Sequence, residues 1–178
     1  MGRHAINNVQ AMPIMINAVQ KSWLWGQWSR LGLTVALSTC LIDQAHKWWM
    51  LGIYRIQDKG RVAITPFLDL VYAKNVGISY GMMPGWLGPW VLFAFAILAS
   101  SGLYLWLVRG PTTRLVAYSL GLVIGGAIGN AIDRLVLGGV ADFYSLHAFD
   151  FYWYVFNLAD VAIVAGVAGL LYDSVWGS

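Results

Sequence analysis

Residues 86–108 form an apolar run without a single charged side chain. At about 1.5 Å of rise per residue, a helix of this length crosses the hydrocarbon core of a bilayer. Similar runs lie at about residues 31–51, 115–136 and 154–172. Hydrophobic residues make up 59% of the 178 residues and charged residues 11%, whereas soluble domains contain about 25% charged residues. We therefore predict an α-helical membrane protein with four transmembrane helices in a single domain.

The segments between the predicted spans favour other structures. Within residues 52–85, two β-prone runs at 53–57 and 61–65 flank the turn-forming sequence Asp-Lys-Gly, which predicts a hairpin. The following residues, 67–72, extend the same small sheet. Residues 137–153 are rich in aromatic side chains, which predicts an interfacial segment containing a short helix.

The net charge of +3 is small and scattered, so it indicates contact with anionic membrane lipid rather than with nucleic acid. Basic residues lie at both ends of the spans, and the positive-inside rule therefore leaves the orientation open. Residues 1–30 carry tryptophans among basic residues and predict a cytoplasmic or interfacial lead-in. No cleavable signal peptide is evident. Cys40 is the single cysteine, which excludes an internal disulfide.

Three polar clusters interrupt the second half of the chain, at residues 129–134, 140–143 and 156–160. An ionisable group next to lipid costs roughly 2.5–3.5 kcal/mol on insertion scales, and by default it marks a functional site. The alternative is a structural cluster that ties helices together, but three linked clusters favour function. Their candidate site residues are Asn130, Asp133, Arg134, Asp142, Asn157 and Asp160.

Small residues recur on one face of each of the last two spans. They are Gly121, Gly125 and Gly129 on the third span, and Ala159, Ala162, Gly166 and Gly169 on the fourth. Helices in lipid associate where small residues allow the backbones to approach closely. We therefore predict that these two faces pack together and bring residues 129–134 near residues 157–160.

The three clusters read G-N-x-x-D-R, V-x-D-F and F-N-x-A-D, in this order. Together they resemble the signature of lipoprotein signal peptidase (signal peptidase II), a bacterial intramembrane aspartyl protease family. The family's D-Q-x-x-K element matches residues 43–47, and its outer-surface motif matches residues 64–68 and Asn75-x-Gly77. Where the family has small residues and then phenylalanine, this chain has Ile-Ser-Tyr at 78–80, which bears on the detail of the substrate groove.

The resemblance implies a multi-pass protein of the bacterial inner membrane with both termini in the cytoplasm. Its active site lies near the periplasmic face, under a small periplasmic β-cradle. The implied substrate is a diacylglyceryl-modified prolipoprotein, which is cut just before the lipidated cysteine. Globomycin is the family's inhibitor.

Asp142 and Asp160 occupy the family's catalytic positions. Two carboxyl groups that share one proton can activate water and polarise a carbonyl, because like charges held close together cannot both ionise. Which aspartate plays which role stays open at this point. No zinc or serine-nucleophile motif is present, so we expect neither a metal nor another cofactor.

The remaining candidates have supporting roles. Asn130 and Asn157 orient the dyad or hold the tetrahedral intermediate, while Asp133 and Arg134 give local polar support. Asp43 and Lys47, four residues apart, form a buried polar tie between helices. Asn75 binds the substrate backbone or serves its own turn, and both alternatives stay open. His46 and His147 are interfacial residues outside the chemistry.

Three other functions fit part of the sequence. Intramembrane aspartates also suit an ion- or proton-coupled transporter. A non-catalytic assembly factor is a further alternative. Residues 37–40 faintly resemble a lipobox, which would make the chain a substrate, although the following membrane spans argue against this. We expect a monomeric enzyme.

Overall fold

The computed structural model describes residues 25–77, 88–110, 113–149 and 151–177. Its helices are α1 (Ser29–Trp48), α2 (Gly88–Arg109), α3 (Arg114–Leu137) and α4 (Leu158–Trp176). Its strands are β1 (Val62–Thr65), β2 (Leu68–Asn75), β3 (Val140–Ala148) and β4 (Phe151–Phe156). A π-helical turn (Trp49–Ile53) and a 3₁₀ turn (Ile56–Asp58) connect α1 to β1. Most of the predicted lead-in (1–24) and the end of the predicted β-cradle with the start of the second span (78–87) lie outside the described residues.

Helix α3 is central and packs against α1, α2 and α4. Among the described residues, α2, α3 and α4 are long and apolar enough to cross a membrane. The prediction of a mainly helical membrane architecture is therefore confirmed. Helix α1 corresponds to the predicted first span but is less apolar, because charged side chains lie in its last turns.

The glycine face of α3 packs against a different helix from the one we predicted. A Cβ atom at Gly121 would lie 2.6 Å from the carbonyl oxygen of Gly32 on α1, and one at Gly125 would overlap Ala36 on the same helix. Helix α4 instead meets α3 at Gly126, where a Cβ atom would lie 2.6 Å from the carbonyl oxygen of Ala159. The predicted packing of the third span on the fourth is confirmed, because Gly166 and Gly169 of α4 lie against Ser119 on α3, and Asn130 and Asn157 are hydrogen-bonded. The predicted face of α3 was wrong, because α3 is packed on two sides and its adjacent glycines face opposite neighbours.

The four strands form one antiparallel sheet in the order β1-β2-β3-β4. The predicted short helix within 137–153 was wrong, because the β-prone and aromatic residues there form β3 and β4 and extend the sheet. Helix α4 consequently begins at Leu158, after β4, rather than near residue 154. Gly138 ends α3 with a φ of +69°, a conformation that glycine adopts without strain.

The predicted strand at 53–57 was also wrong. These residues lie in the turns after α1, where Arg55 adopts a φ of +55°. The hairpin is formed instead by β1 and β2. The physical reason is burial: Met50 and Ile56 pack with Ala141 and Phe143 into one apolar cluster under the sheet. This cluster joins the end of α1 to β3.

Candidate active site

Two carboxylates, Asp142 on β3 and Asp160 in the first turn of α4, are joined by two asparagine side chains. Asn157 Nδ2 donates a hydrogen bond to Asp142 Oδ1 at 2.6 Å, and Asn130 Nδ2 donates one to Asp160 Oδ1 at 2.9 Å. Asn157 Nδ2 also donates to Asn130 Oδ1 at 3.1 Å. The four predicted site residues therefore form one hydrogen-bonded chain that connects β3, α3 and α4.

The start of α4 explains why Asn157 and Asp160 lie together. Asn157 is the N-cap, and its Oδ1 accepts a hydrogen bond from the Asp160 backbone N–H at 3.0 Å. Asp160 Oδ2 accepts one in return from the Asn157 backbone N–H at 3.1 Å. This reciprocal capping box satisfies two backbone donors at the helix end. An acidic side chain in the first turn also suits the positive end of the helix dipole.

Lys47 is buried and reaches three acceptors from α1. Its Nζ lies 2.8 Å from Asp43 Oδ2 and 2.8 Å from Asp133 Oδ2, and it donates to Asn130 Oδ1 at 3.1 Å. An ammonium group has three N–H donors, so all three are used. Buried charges are tolerated only when they are paired and hydrogen-bonded in this way. Lys47 thereby fixes the side chain of Asn130, which in turn donates a hydrogen bond to Asp160.

The two acids beside Lys47 also bind the backbone of other elements. Asp133 Oδ2 accepts a hydrogen bond from Ala141 N at 3.1 Å, next to Asp142. Asp43 Oδ1 accepts one from Ala159 N at 3.1 Å, next to Asp160. Each of these two acids thus anchors the residue immediately before one member of the carboxylate pair.

Gln44 also belongs to this hydrogen-bond network, although the sequence motifs give it no separate role. Its Nε2 donates to Asp133 Oδ1 at 2.9 Å and to the Gly129 carbonyl oxygen at 3.1 Å. Gln44 lies beside Asp43 in the D-Q-x-x-K element. A polar residue near the end of an apolar span was the available signal for its role.

Arg134 and Asn75 lie at the edges of this network. Arg134 Nη1 donates to the Asn130 carbonyl oxygen at 2.9 Å, one helical turn away. Asn75 Oδ1 accepts a hydrogen bond from Gly77 N at 2.9 Å, so this side chain does serve its own turn. The Asn75 side chain also lies close enough to Asp142 to lower the pKa of that carboxyl group. The structure therefore places Asn75 beside the carboxylate pair.

Burial is the main cause, and the nearby charge of Asp160 the second, by which the pKa of Asp142 is raised from 3.8 to about 6. Hydrogen bonds from Asn157 and Asn75 and the charge of Lys47 oppose this shift without cancelling it. Asp142 is only 2% exposed, which agrees with burial as the main cause of its raised pKa. A carboxyl group with this pKa can hold a proton near neutral pH.

An open groove with a volume of about 430 Å³ ends at Asp160. Its lining is otherwise apolar and comes from β3, β4 and one face of α4: Leu146, Trp153, Tyr154, Phe156, Val161, Val164, Ala165 and Ala168. Asp160 is half-buried, whereas Asp142 is buried behind it. The groove therefore offers an apolar molecule a path along α4 to one carboxylate of the pair.

His46 and His147 lie outside this network. His147 Nε2 is 3.3 Å from Asp69 Oδ2, and its ring stacks on Tyr152. His46 contacts Tyr144 on β3. Among the described residues, no group of three or more His, Cys, Asp or Glu side chains is placed to hold a metal ion.

Comparison with known proteins identifies close relatives. The family described as "Signal peptidase (SPase) II" matches residues 35–176. A lipoprotein signal peptidase of Methylocella silvestris is 50% identical over 150 residues, which cover 83% of this chain and 87% of that protein. One from Rhodopseudomonas palustris is 49% identical over 154 residues, covering 83% of this chain and 93% of its own.

Solved structures agree at the level of the fold. A structure described as a bacterial membrane enzyme superposes with a TM-score of 0.68 at 25% identity, covering 82% of this chain and 90% of its own. A second structure with the same description gives a TM-score of 0.73 at 23% identity, covering 84% and 95%.

Proposed function

Because the chain belongs to the signal peptidase II family and is a peptidase of the aspartic class, we propose that it removes signal peptides from diacylglyceryl-modified prolipoproteins. The cut falls just before the lipidated cysteine. The observation that supports this most directly is the carboxylate pair, in which Asp142 and Asp160 are joined by Asn157 and Asn130.

Asp142 and Asp160 act as the catalytic dyad. Ionised Asp160, the more accessible of the two, takes a proton from water, which attacks the scissile carbonyl carbon. Protonated Asp142 donates a hydrogen bond to the carbonyl oxygen, where negative charge develops. The tetrahedral intermediate then collapses, the C–N bond breaks, and the proton taken by Asp160 passes to the departing amine. Asp142 suits its role because burial raises its pKa to about 6.

The asparagines orient the dyad. Asn157 donates to one oxygen of Asp142 and Asn130 donates to one oxygen of Asp160, while the second oxygen of Asp160 accepts a hydrogen bond from the Asn157 backbone N–H. Lys47 fixes Asn130 in turn, because its Nζ donates to the amide oxygen of that residue. Holding both carboxylates in a set geometry before substrate arrives lowers the activation free energy.

The groove beside Asp160 accepts the substrate laterally from the bilayer. Its apolar lining matches a lipid-anchored peptide, and its polar end lies at the carboxylates. In this proposal α1 also crosses the membrane, together with α2, α3 and α4. The four-stranded sheet is a periplasmic β-cradle. The chain is a monomer in the bacterial inner membrane, in contact with lipid, with both termini in the cytoplasm.

The deciding assay uses purified protein in detergent with a diacylglyceryl-modified prolipoprotein, read by gel shift. Wild type should release the signal peptide, while Asp142→Asn and Asp160→Asn should fold but leave the precursor whole. Asp58→Asn is the matched control, because Asp58 is exposed and its carboxylate pairs with Arg55, away from the dyad. The same precursor without its diacylglyceryl group should stay uncut. Cleavage surviving in either dyad variant removes that residue from the mechanism.

The pH dependence gives a second test. Since Asp142 must be protonated, kcat/KM should fall as the pH rises above about 6, by about tenfold per unit in the simplest titration. A rate that stays constant from pH 5 to 9 would argue against a protonated Asp142.

An ion- or proton-coupled transporter is the alternative function. It predicts gradient-dependent transport and no peptide product, so the cleavage assay separates the two.

A further inference from the structure

We propose that His46 and Tyr144 form a positioning pair that holds β3, and with it the Asp142 carboxyl group, in place relative to the rest of the dyad. This inference rests on the proposed function, because it assigns a role in the same reaction to two residues outside the dyad. Neither residue touches Asp142 or Asp160 through any hydrogen bond of the described chain.

The sheet by itself holds β3 loosely at Asp142. In the β2–β3 ladder Tyr144 lies opposite Leu70 and Asp142 lies opposite Ala73, so two residues of β2 face one residue of β3. Such a bulge interrupts the ladder of backbone hydrogen bonds. On the other side, pairing with β4 begins only at Tyr144, opposite Phe156. Asp142 therefore lies where the strand has an irregular neighbour on one side and no strand on the other.

Two side chains from the helices hold the strand on either side of this irregular point. Before Asp142, the backbone N–H of Ala141 donates to Asp133 Oδ2 at 3.1 Å. After it, the Tyr144 hydroxyl oxygen lies 2.8 Å from His46 Nε2. The two rings also stack, with centroids 5.6 Å apart and planes 18° from parallel. Asp142 is thus placed between one anchor on α3 and one on α1.

The last turns of α1 support both halves of the dyad. Lys47 binds Asn130, which holds Asp160, and the preceding residue, His46, binds Tyr144, two residues after Asp142. A change in the position of this helix end would therefore move both carboxylates together. This common support keeps them at a fixed separation.

His46 has no competing hydrogen-bond partner. Its Nδ1 is buried and bonds to no residue that the structure describes. The edge of the ring meets Phe143 at a centroid distance of 5.6 Å. The hydrogen bond to the Tyr144 hydroxyl and apolar packing therefore orient the imidazole. Removing the Tyr144 hydroxyl tests this hydrogen bond alone.

The test compares Tyr144→Phe with wild type in the gel-shift assay. This change keeps the stacked ring and removes only the hydroxyl. We expect kcat to fall about tenfold, as for a small misplacement of a reacting group, with KM within about twofold of wild type. The alkaline limb of kcat/KM should move to higher pH, because a displaced Asp142 loses hydrogen bonds from Asn157 and Asn75 that lower its pKa.

Tyr72→Phe is the matched control. Tyr72 is also half-buried against the cluster around Phe143, and its hydroxyl makes no hydrogen bond to any residue that the structure describes. It should behave as wild type. The double variant His46→Ala/Tyr144→Phe should be no slower than the slower single variant, since both changes break one interaction. His46→Gln should retain more activity than His46→Ala, because an amide can still bond to the hydroxyl.

Unchanged kcat and pH profile in Tyr144→Phe would overturn the proposal, as would equal losses in Tyr144→Phe and Tyr72→Phe. Additive losses in the double variant would show that His46 is not the partner and would also overturn it. These results leave the proposed function intact if Asp142→Asn is inactive. Cleavage by Asp142→Asn would instead refute the dyad itself.

Discussion

The carboxyl group of Asp142 lies in a buried site that disfavours its ionised form. Burial is the main reason, and the charge of Asp160 adds to it. A folded-state pKa of about 6, against an ordinary value of 3.8, means that the folded protein binds this proton more tightly than the unfolded chain does. The contribution to stability is therefore fully present below about pH 4 and is lost as the pH rises through about 6.

Asp142→Asn should consequently be inactive but more stable than wild type at pH 8. The neutral amide removes the buried negative charge, and its oxygen can still accept the hydrogen bond from Asn157. We expect an increase in unfolding temperature of a few degrees at pH 8 that disappears at pH 4, measured by a thermal shift in detergent. A variant less stable than wild type at pH 8 would contradict this account of the charge.

Lys47→Met should destabilise the protein strongly. The change leaves Asp43 and Asp133 buried without their shared counter-charge, and breaking a buried ion pair from one side costs about 3–5 kcal/mol. Loss of folded protein on size-exclusion chromatography is the expected result. Lys59→Met is the control, because Lys59 is exposed and its ammonium group lies over the Tyr54 ring, 4.9 Å from the centroid. A folded, active Lys47→Met would show that the tie is dispensable.

The first turn of α4 combines a helix cap with part of the active site. The side-chain oxygen of Asn157 accepts a hydrogen bond from the Asp160 backbone N–H. Its side-chain nitrogen donates to Asp142 and Asn130. Capping requires only an acceptor on a short side chain, whereas bridging the dyad requires the amide nitrogen. One element thus carries two functions that different substitutions can separate.

We predict that Asn157→Ser and Asn157→Ala lose similar activity but differ in stability. Serine can cap the helix and alanine cannot, so the alanine variant should be less stable by about 1 kcal/mol. Both lack the donor to Asp142, and kcat should fall at least about tenfold in each. Thermal unfolding and the cleavage assay measure the two effects. If only the alanine variant lost activity, the cap rather than the bridge would control catalysis.

The whole molecule depends on the close approach of two helices, α1 and α4, to α3. Gly121 and Gly125 admit α1, while Gly126 admits α4. Since α1 carries Lys47, α3 carries Asn130 and α4 carries Asp160, the separation of these helices sets the distances within the site. The small residues at which these helices pack therefore also affect the geometry of the active site at the helix ends.

Gly125→Ala should destabilise the protein and reduce activity. The added methyl group would overlap the Ala36 backbone on α1, and forcing extra volume into a packed interface costs about 1–3 kcal/mol. Gly102→Ala is the control, because a Cβ atom at Gly102 has no neighbour within 4 Å. That change should be neutral or slightly stabilising. Equal unfolding temperatures for both variants would show that the α1–α3 contact tolerates separation.

From the sequence alone, the apolar runs determined the helical membrane architecture, because a long uncharged segment has few alternatives to a buried helix. The polar clusters within apolar sequence, together with their resemblance to the family signature, also identified Asp142, Asp160, Asn130 and Asn157 as candidates for one site. The tertiary structure decided which helix meets each glycine of α3, because neighbouring residues of one helix face different partners. It also decided that residues 140–148 pair as a strand, since β2 supplies the partner that these β-prone residues need. The anchor between His46 and Tyr144 likewise depends on contacts between residues distant in the chain.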